Sequence, residues 1–283
     1  MQTYPSWLNK NEKLHRQIVD HLESCDVKVV DFREPTVTAK DFFPALDSIP
    51  LNISRFVATK DSLLYSKLLK ESFDRLNDSS TLIDLGTGSG VPLISAFLQT
   101  KTKAVAIGLD IDNEALKIAR DNLNLFKLEG RVQLKCQSML DYLSDSTNFT
   151  AAEKLAVAAN PPYLPCPGAP TEEFTPVHGG EDGTLYLEGI LTRPYSENTL
   201  VAIQWGSVTN PAKIFALIHG RFEIRFLQAW ELPFGKYSLS PAINAHLHRQ
   251  RDLGKAVFNG IAGSSQSQLV FGAILVPKKK SLA

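Results

Sequence analysis

The run Thr81-Leu-Ile-Asp-Leu85 passes directly into Gly86-Thr-Gly88-Ser-Gly90, and Pro92 then opens an apolar stripe through Leu93, Ile94 and Phe97. A short apolar run, a glycine turn and a proline-led helical stripe together read as strand, tight turn and helix. The pattern recurs along the chain. Residues 104–109 read as a strand ending at Asp110, and 113–127 as a helix with Leu116, Ala119, Leu123 and Phe126 on one face. Residues 132–136, 155–159 and 200–205 read as further strands, 183–191 as a short helix and 211–219 as a helix with Pro211 in its first turn. Strands that alternate with helices predict an α/β fold, a doubly wound and mainly parallel sheet. Residues 222–232 and 269–276 are two closing strands with no helix expected between them, which adds a C-terminal antiparallel hairpin and brings the expected sheet to seven strands.

Residues 1–52 read as a small N-terminal element of mixed, partly helical character, related to the substrate. Leu14, Ile18, Val19 and Leu22 make a helical stripe, residues 27–32 suit a strand, and Pro35, Pro44 and Pro50 punctuate the stretch after it. Phe42, Phe43, Leu46 and Leu51 are expected to cover another surface. Residues 53–283 form the larger domain, opening with a helix that Thr59 or Asp61 caps and that carries Leu63, Leu64, Leu68, Leu69 and Phe73. Its connection at 233–267 is long enough to read as an insertion. Within that insertion, His246-Leu-His248 reads as strand with both imidazoles on one side, a pair with no third ligand. No Cys/His cluster elsewhere has metal-ligand spacing, so no metal is expected.

The 283 residues are 43% hydrophobic and 21% charged with zero net charge, which suits a globular chain and gives no general pull toward nucleic acid or anionic membrane. Lys278-Lys279-Lys280 reads as a solubilising tail. No apolar run reaches spanning length, and residues 1–7 lack a signal-peptide pattern. Cys25, Cys136 and Cys166 are scattered and odd in number, which points to a reducing, cytoplasmic setting.

The spacing Gly86-x-Gly88-x-Gly90 differs from the Gly-x-Gly-x-x-Gly of dinucleotide sites, where Val91 would be glycine. Asp84 lies inside the strand before the loop, where a carboxylate repels a pyrophosphate and suits an ammonium. Asp110, about 20 residues past the loop, is placed to accept hydrogen bonds from a ribose diol. The expected ligand has a ribose, an amino-acid end and no phosphate, which describes S-adenosylmethionine. Gly86, Thr87, Gly88, Gly90, Asp84, Asp110 and the adjoining Ile111 are its expected contacts.

Asn160-Pro161-Pro162-Tyr163 follows a buried strand. Two prolines stiffen the turn. It fixes an amide side chain, a backbone carbonyl and an aromatic face together, groups that suit a planar nitrogen about to accept a carbon. Alone, Asn160 is also an ordinary turn-former before proline. Ligands in open α/β sheets sit beyond the carboxyl ends of the strands. The loop, Asp110 and Asn160–Tyr163 all come directly after strand ends, so they are expected to share one crevice.

The stretch Ile83-Asp-Leu-Gly-Thr-Gly-Ser-Gly90, with Asp110 and Asn160-Pro-Pro-Tyr163, resembles the class I S-adenosylmethionine-dependent methyltransferases, and within them the HemK-like branch that methylates a release-factor glutamine. His178-Gly-Gly-Glu-Asp-Gly183, after Glu172-Glu173, is similar to a glycine-rich run of that branch, and residues 57–62 resemble its segment ahead of the cofactor loop. The resemblance covers roughly residues 53–230 and implies a Rossmann-like fold. It also implies S-adenosylmethionine as cofactor, with S-adenosylhomocysteine as product. Ser138, or a backbone group, stands in where the family often has an acid for the adenine amino group, and Asn160 counts among the implied cofactor contacts. Asn160, Pro161 and Tyr163 are the implied catalytic residues. Pro162, Tyr163, His178 and Thr59 are the implied substrate contacts. The acceptor is expected to be a glutamine-type amide of a protein or peptide. The alternatives are a small molecule or natural product, an adenine amino group of nucleic acid (against which zero net charge counts), or a catalytically silent cofactor-holding partner protein.

Overall fold

The computed structural model describes residues 4–32, 37, 39–43, 59–149 and 154–279. The expected boundary at residue 52, Leu46 and Leu51, and residues 57–58 of the resemblance lie outside the described residues. The chain divides into two compact units, each built from several stretches: Met1–Glu34 with Pro161–Arg193 and Gln204–Ala273, and Pro35–Asn160 with Pro194–Ile203 and Ile274–Ala283.

The unit holding Pro35–Asn160 is the regular one. Its strands β2 (Thr81–Leu85), β3 (Val105–Asp110), β4 (Val132–Cys136) and β5 (Leu155–Ala159), with the first part of β6 (Thr199–Gly206), run parallel in the order β6-β5-β2-β3-β4. Every residue of β5 is buried, as expected of a central parallel strand covered on both faces. β4 closes the edge, and there polar Gln133 and Lys135 alternate with apolar side chains. After the one-turn helix α2 (Ala39–Phe42), helix α3 (Lys60–Phe73) buries Leu63, Leu64, Leu68, Leu69 and Phe73, each such side chain removed from water contributing about 1.5–3 kcal/mol. Helix α4 (Val91–Leu98) starts after Gly90 with Pro92 in its first turn, and α5 (Asn113–Leu125) is capped by Asp112, whose side chain accepts from the Glu114 amide at 2.8 Å. A short helix α6 (Met139–Ser144), for which the sequence gives only a weak apolar pattern, comes after Ser138.

The other unit begins with α1 (Lys13–Ser24) and β1 (Val29–Asp31), and continues through α7 (Leu185–Thr192), α8 (Pro211–Arg221), β7 (Phe222–Pro233), α9 (Pro241–Asp252) and the first part of β8 (Ser267–Pro277). Its strands lie in the order β1-β7-β8-β6, with β1 parallel to β7 in the register Val29↔Ala229. Strand β1 makes eight strands among the described residues where seven were expected. Strands β7 and β8 are the antiparallel closing pair, but their connection is not bare: it carries α9. The expectation of a strand at His246–His248 is therefore corrected. Ile243, His246, Leu247 and Gln250 are the buried residues of α9, and their three- and four-residue spacing is a helical period that Ser240-Pro241 initiates.

Candidate functional site

Sheet register brings one set of expected residues together. Leu85 pairs with Leu109 on one side and Ala159 on the other, so Gly86, Asp110 and Asn160 leave the same edge of the sheet. The amides of Gly86 and Thr87 both donate to the Leu109 carbonyl at 2.8 Å, which folds the loop over the end of β3. Gly86, Gly88 and Gly90 all have positive φ, at 80°, 55° and 76°. That left-handed backbone is open to glycine and strained for other residues. A Cβ on Gly88 would meet nothing within 4 Å, so this side of the loop offers room to a ligand.

Asp84 is buried, and the hydroxyl of Tyr65 on α3 donates to its carboxylate. Burial pushes Asp84 up to about 6 against the lowering effect of the Tyr65 bond, and the nearby negative charge of Asp110 adds to the rise. Burial likewise pushes the Tyr65 phenol well above its ordinary value, with the Asp84 charge reinforcing it. The Asp110 carboxylate accepts from the Gly88 amide at 2.8 Å and from the Asp112 amide at 2.9 Å, one through each oxygen. Ile111 beside it is an exposed large apolar side chain, 60% accessible. Ser138 caps α6, its hydroxyl accepting from the Asp141 amide at 3.4 Å. Thr59 is exposed just ahead of α3, where its hydroxyl bonds Ser62. The Asn160 Oδ1 atom is buried and has no hydrogen-bond partner among the described residues. A buried carbonyl oxygen without a donor is unusual and costly.

The chain passes from the regular unit to the other at the Asn160–Pro161 bond. Pro161 and Tyr163 are buried and Pro162 half-buried. The Tyr163 carbonyl accepts from the Thr209 hydroxyl at 2.8 Å. The Gly179–Gly183 run packs directly on this backbone. A Cβ on Gly179 would sit 2.8 Å from the Tyr163 Cα, and one on Gly183 would sit 2.4 Å from the Tyr163 oxygen. Asp182 inside the run accepts from Asn210 at 2.8 Å and Thr184 at 2.7 Å. Burial alone would raise this carboxyl, but those bonds and the Lys213 charge outweigh it and hold it below its ordinary value.

His178, expected to touch substrate, is buried and braces its own loop. Its Nδ1 accepts from the Gly180 amide at 3.3 Å, which leaves Nε2 to donate to the Gly168 carbonyl at 3.1 Å. Burial pushes the Cys166 thiol up to about 11, which keeps it protonated and inert. His246 and His248 belong to hydrogen-bond networks of α9, and no group able to hold a metal occurs among the described residues. None of the helices in the described residues is long and apolar enough to cross a membrane. The residue that sequence reasoning passed over is Tyr65. A phenol on the buried stripe of α3 needs a hydrogen-bond partner, and the only buried carboxylate in the next strand, Asp84, was the signal available.

Residues 76–157 match the family model described as a methyltransferase domain. The release factor glutamine methyltransferase of Rhodopirellula baltica is 33% identical over 127 residues, which are 41% of this chain and 41% of that protein. The rRNA N(6)-adenosine-methyltransferase metl-5 of Caenorhabditis elegans is 34% identical over 86 residues, 30% of this chain and 38% of that one. The chain spans between 25% and 49% of the length of the curated relatives it matches. The crystal structure of a ribosomal protein L11 methylase from Lactobacillus delbrueckii subsp. bulgaricus overlaps at a TM-score of 0.44 and 15% identity, covering 83% of this chain and 92% of that one, a level of likeness that carries no weight for function. The matched span contains the glycine loop, Asp84 and Asp110. A buried carboxylate, a loop open beside Gly88 and a ribose-ready Asp110 fit S-adenosylmethionine, the cofactor that the family match also supports.

Proposed function

We propose that this chain is an S-adenosylmethionine-dependent methyltransferase acting on a planar amide nitrogen, of the kind a glutamine side chain of a protein or peptide presents. The observation that carries the reading is the buried, unpartnered Asn160 Oδ1, at the same sheet edge as the glycine loop and Asp110. Asp84, Gly86, Thr87, Gly88, Gly90, Asp110, Ile111 and Ser138 hold the cofactor. When bound, S-adenosylmethionine supplies an already activated methyl group, so the protein's task is aim rather than activation.

An amide nitrogen is a poor nucleophile because its lone pair is delocalised. Asn160 Oδ1 and the Pro161 carbonyl accept its two hydrogens. Positive charge grows on that nitrogen as the new bond forms, so both hydrogen bonds strengthen on the way to the transition state. Tyr163 packs on the planar group, and Pro162 keeps the turn stiff. No strong base is required first, because the proton becomes acidic once nitrogen is alkylated. Residues 1–52 and 233–267 select the molecule that bears the nitrogen.

An adenine amino group is the second reading, favoured by the match to the rRNA enzyme. It presents the same planar, two-hydrogen nitrogen. Methyl-labelled S-adenosylmethionine, offered with a glutamine-bearing release factor, total tRNA, rRNA and a metabolite extract in parallel, separates the readings once the labelled product is identified by mass spectrometry. Label on a glutamine amide is the expected result. Label on adenine moves the assignment to nucleic acid. Bound cofactor with no transfer to anything overturns it in favour of a cofactor-holding partner protein.

A further inference from the structure

Among the described residues, three other than glycine have positive φ. Asp26 and Lys127 come directly after the C-caps of α1 and α5, where a left-handed residue is an ordinary way to end a helix. Asn210 is different. It opens α8, at φ 32° and ψ 67°. A residue capping a helix start normally has extended backbone, and a residue before proline, as Asn210 is before Pro211, is pushed the same way. A left-handed residue in that place is strained, and such strain persists only where the surroundings enforce it.

The bonds that enforce it lead to Tyr163. The Asn210 Nδ2 donates to the Asp182 Oδ2 at 2.8 Å, and its Oδ1 accepts from the Lys213 amide at 3.4 Å. Thr209, the residue before it, is fully buried and donates its hydroxyl to the Tyr163 carbonyl at 2.8 Å. Gly183, the residue after Asp182, lies against the same carbonyl. A Cβ there would stand 2.4 Å from the Tyr163 oxygen and 3.0 Å from the Thr209 Cγ2. Thr209-Asn210 and Asp182-Gly183 therefore meet at the Tyr163 carbonyl, and the Asn210–Asp182 bond ties the two pairs together. Extended backbone at residue 210 would swing its carboxamide away from Asp182, so the strain and the tie belong together. All of these residues lie in the unit that holds Tyr163.

We infer that Asn210 is a positioning residue: acting through Asp182 and Gly183, it sets the Tyr163 backbone, and with it the ring, for the methyl acceptor. This deepens the proposed function and rests on it for Tyr163 as the surface on which the acceptor packs. Asn210 itself touches no reactant. A tied loop presents one Tyr163 geometry, whereas an untied loop presents several, and a misplaced packing surface leaves less of the bound acceptor aligned for transfer.

Asn210→Gly removes the tie and the strain at once. Glycine accepts left-handed backbone and is a tolerated helix cap, so Tm is expected to stay close to that of the parent. On the acceptor that the labelling panel identifies, kcat falls by about tenfold with cofactor affinity kept. A residue that only held the fold would lower Tm and leave the kcat of the folded enzyme in place. Asn210→Asp sets two carboxylates against each other and is expected to lose as much activity. Adding Asp182→Asn to it exchanges donor and acceptor across the same contact, so kcat is expected to return to near the parent value. Tyrosine rings labelled with 13C report Tyr163 with no acceptor present, its resonance assigned by its loss in Tyr163→Phe. Asn210→Gly is expected to shift or broaden that resonance, and the exchanged pair to restore it. An unmoved Tyr163 resonance, a fall in Tm with kcat kept, or no recovery in the exchanged pair overturns the inference. If the panel finds no methyl transfer, the proposed function falls, and the Tyr163 resonance alone decides whether Asn210 positions that ring.

Discussion

The two units of the chain solve the same problem, placing polar groups at precise points, by different means. In the unit holding Pro35–Asn160, parallel strands in continuous register set the ends of β2, β3 and β5 side by side, and the polar groups are held by hydrogen bonds: Gly88 and Asp112 on Asp110, Tyr65 on Asp84. In the other unit, Tyr163 is held by one hydrogen bond from Thr209 to its carbonyl and by close packing against three glycines, Gly179, Gly183 and Gly206. On the proposed reading, regular register makes a reusable frame for a constant cofactor, and close glycine packing makes a bespoke surface for one acceptor.

That contrast can be broken most directly at the bond where the units meet in sequence. Asn160→Ala is expected to lower turnover by roughly 10²-fold or more, with cofactor affinity measured by calorimetry nearly unchanged. An equal loss of cofactor binding would mean that Asn160 belongs to the frame alone. Next in size is Gly183→Ala, which sets a Cβ 2.4 Å from the Tyr163 oxygen at a φ of +81°. The strain and displacement together cost on the order of 3 kcal/mol, read as a lower denaturant midpoint. An unchanged midpoint would show that the bespoke surface is softer than its packing implies.

Tyr65→Phe acts on the frame. Losing a buried hydrogen bond to a carboxylate costs about 2 kcal/mol and leaves burial to raise Asp84 further, so cofactor affinity falls while acceptor KM holds.

The smallest effects come from pH, and the two units respond over different windows. Burial raises Asp84 from 3.8 to about 6, so its contribution to stability is present below 3.8 and lost as pH rises through 6. A cationic ligand group requires the ionised form, so cofactor binding tightens across the same rise. In the other unit, burial first and then His219 lower His21 from 6.5 to about 4, where it stacks on Phe215. Its neutral form is at home in the fold, so the stability it contributes is full above 6.5 and drains away as pH falls toward 4. Calorimetric affinities and melting curves at pH 5 and 7 check both directions.

The frame was legible in the sequence because its signals are local: apolar runs of strand length, a glycine turn, an acid at a strand end. Gly86–Gly90 and Asp110 announce themselves within a few residues of the elements that position them. Sequence patterns say less about how a side chain is held. His178 reads as a loop histidine, and nothing in its pattern shows that the Gly180 amide and the Gly168 carbonyl meet its two ring nitrogens. His246 and His248 alternate like a strand, but Ile243, Leu247 and Gln250 outvote them with a helical period. The close packing around Tyr163 carries no local signal either, since Gly179, Gly183 and Gly206 lie 16, 20 and 43 positions along the chain from it.

The tether on Asp110 has a consequence for recognition. Each carboxylate oxygen already accepts from a backbone amide, so the side chain has one rotamer before any ligand arrives. Ordering a side chain on binding ordinarily costs about 0.5–1.5 kcal/mol in entropy. Here that ordering belongs to folding, and the ribose proposed to bind at Asp110 would find its acceptors already aimed. Such a carboxylate is a rigid template: it discriminates by the spacing of the two hydroxyls it meets, and a sugar lacking one of them leaves an oxygen with only its backbone partner.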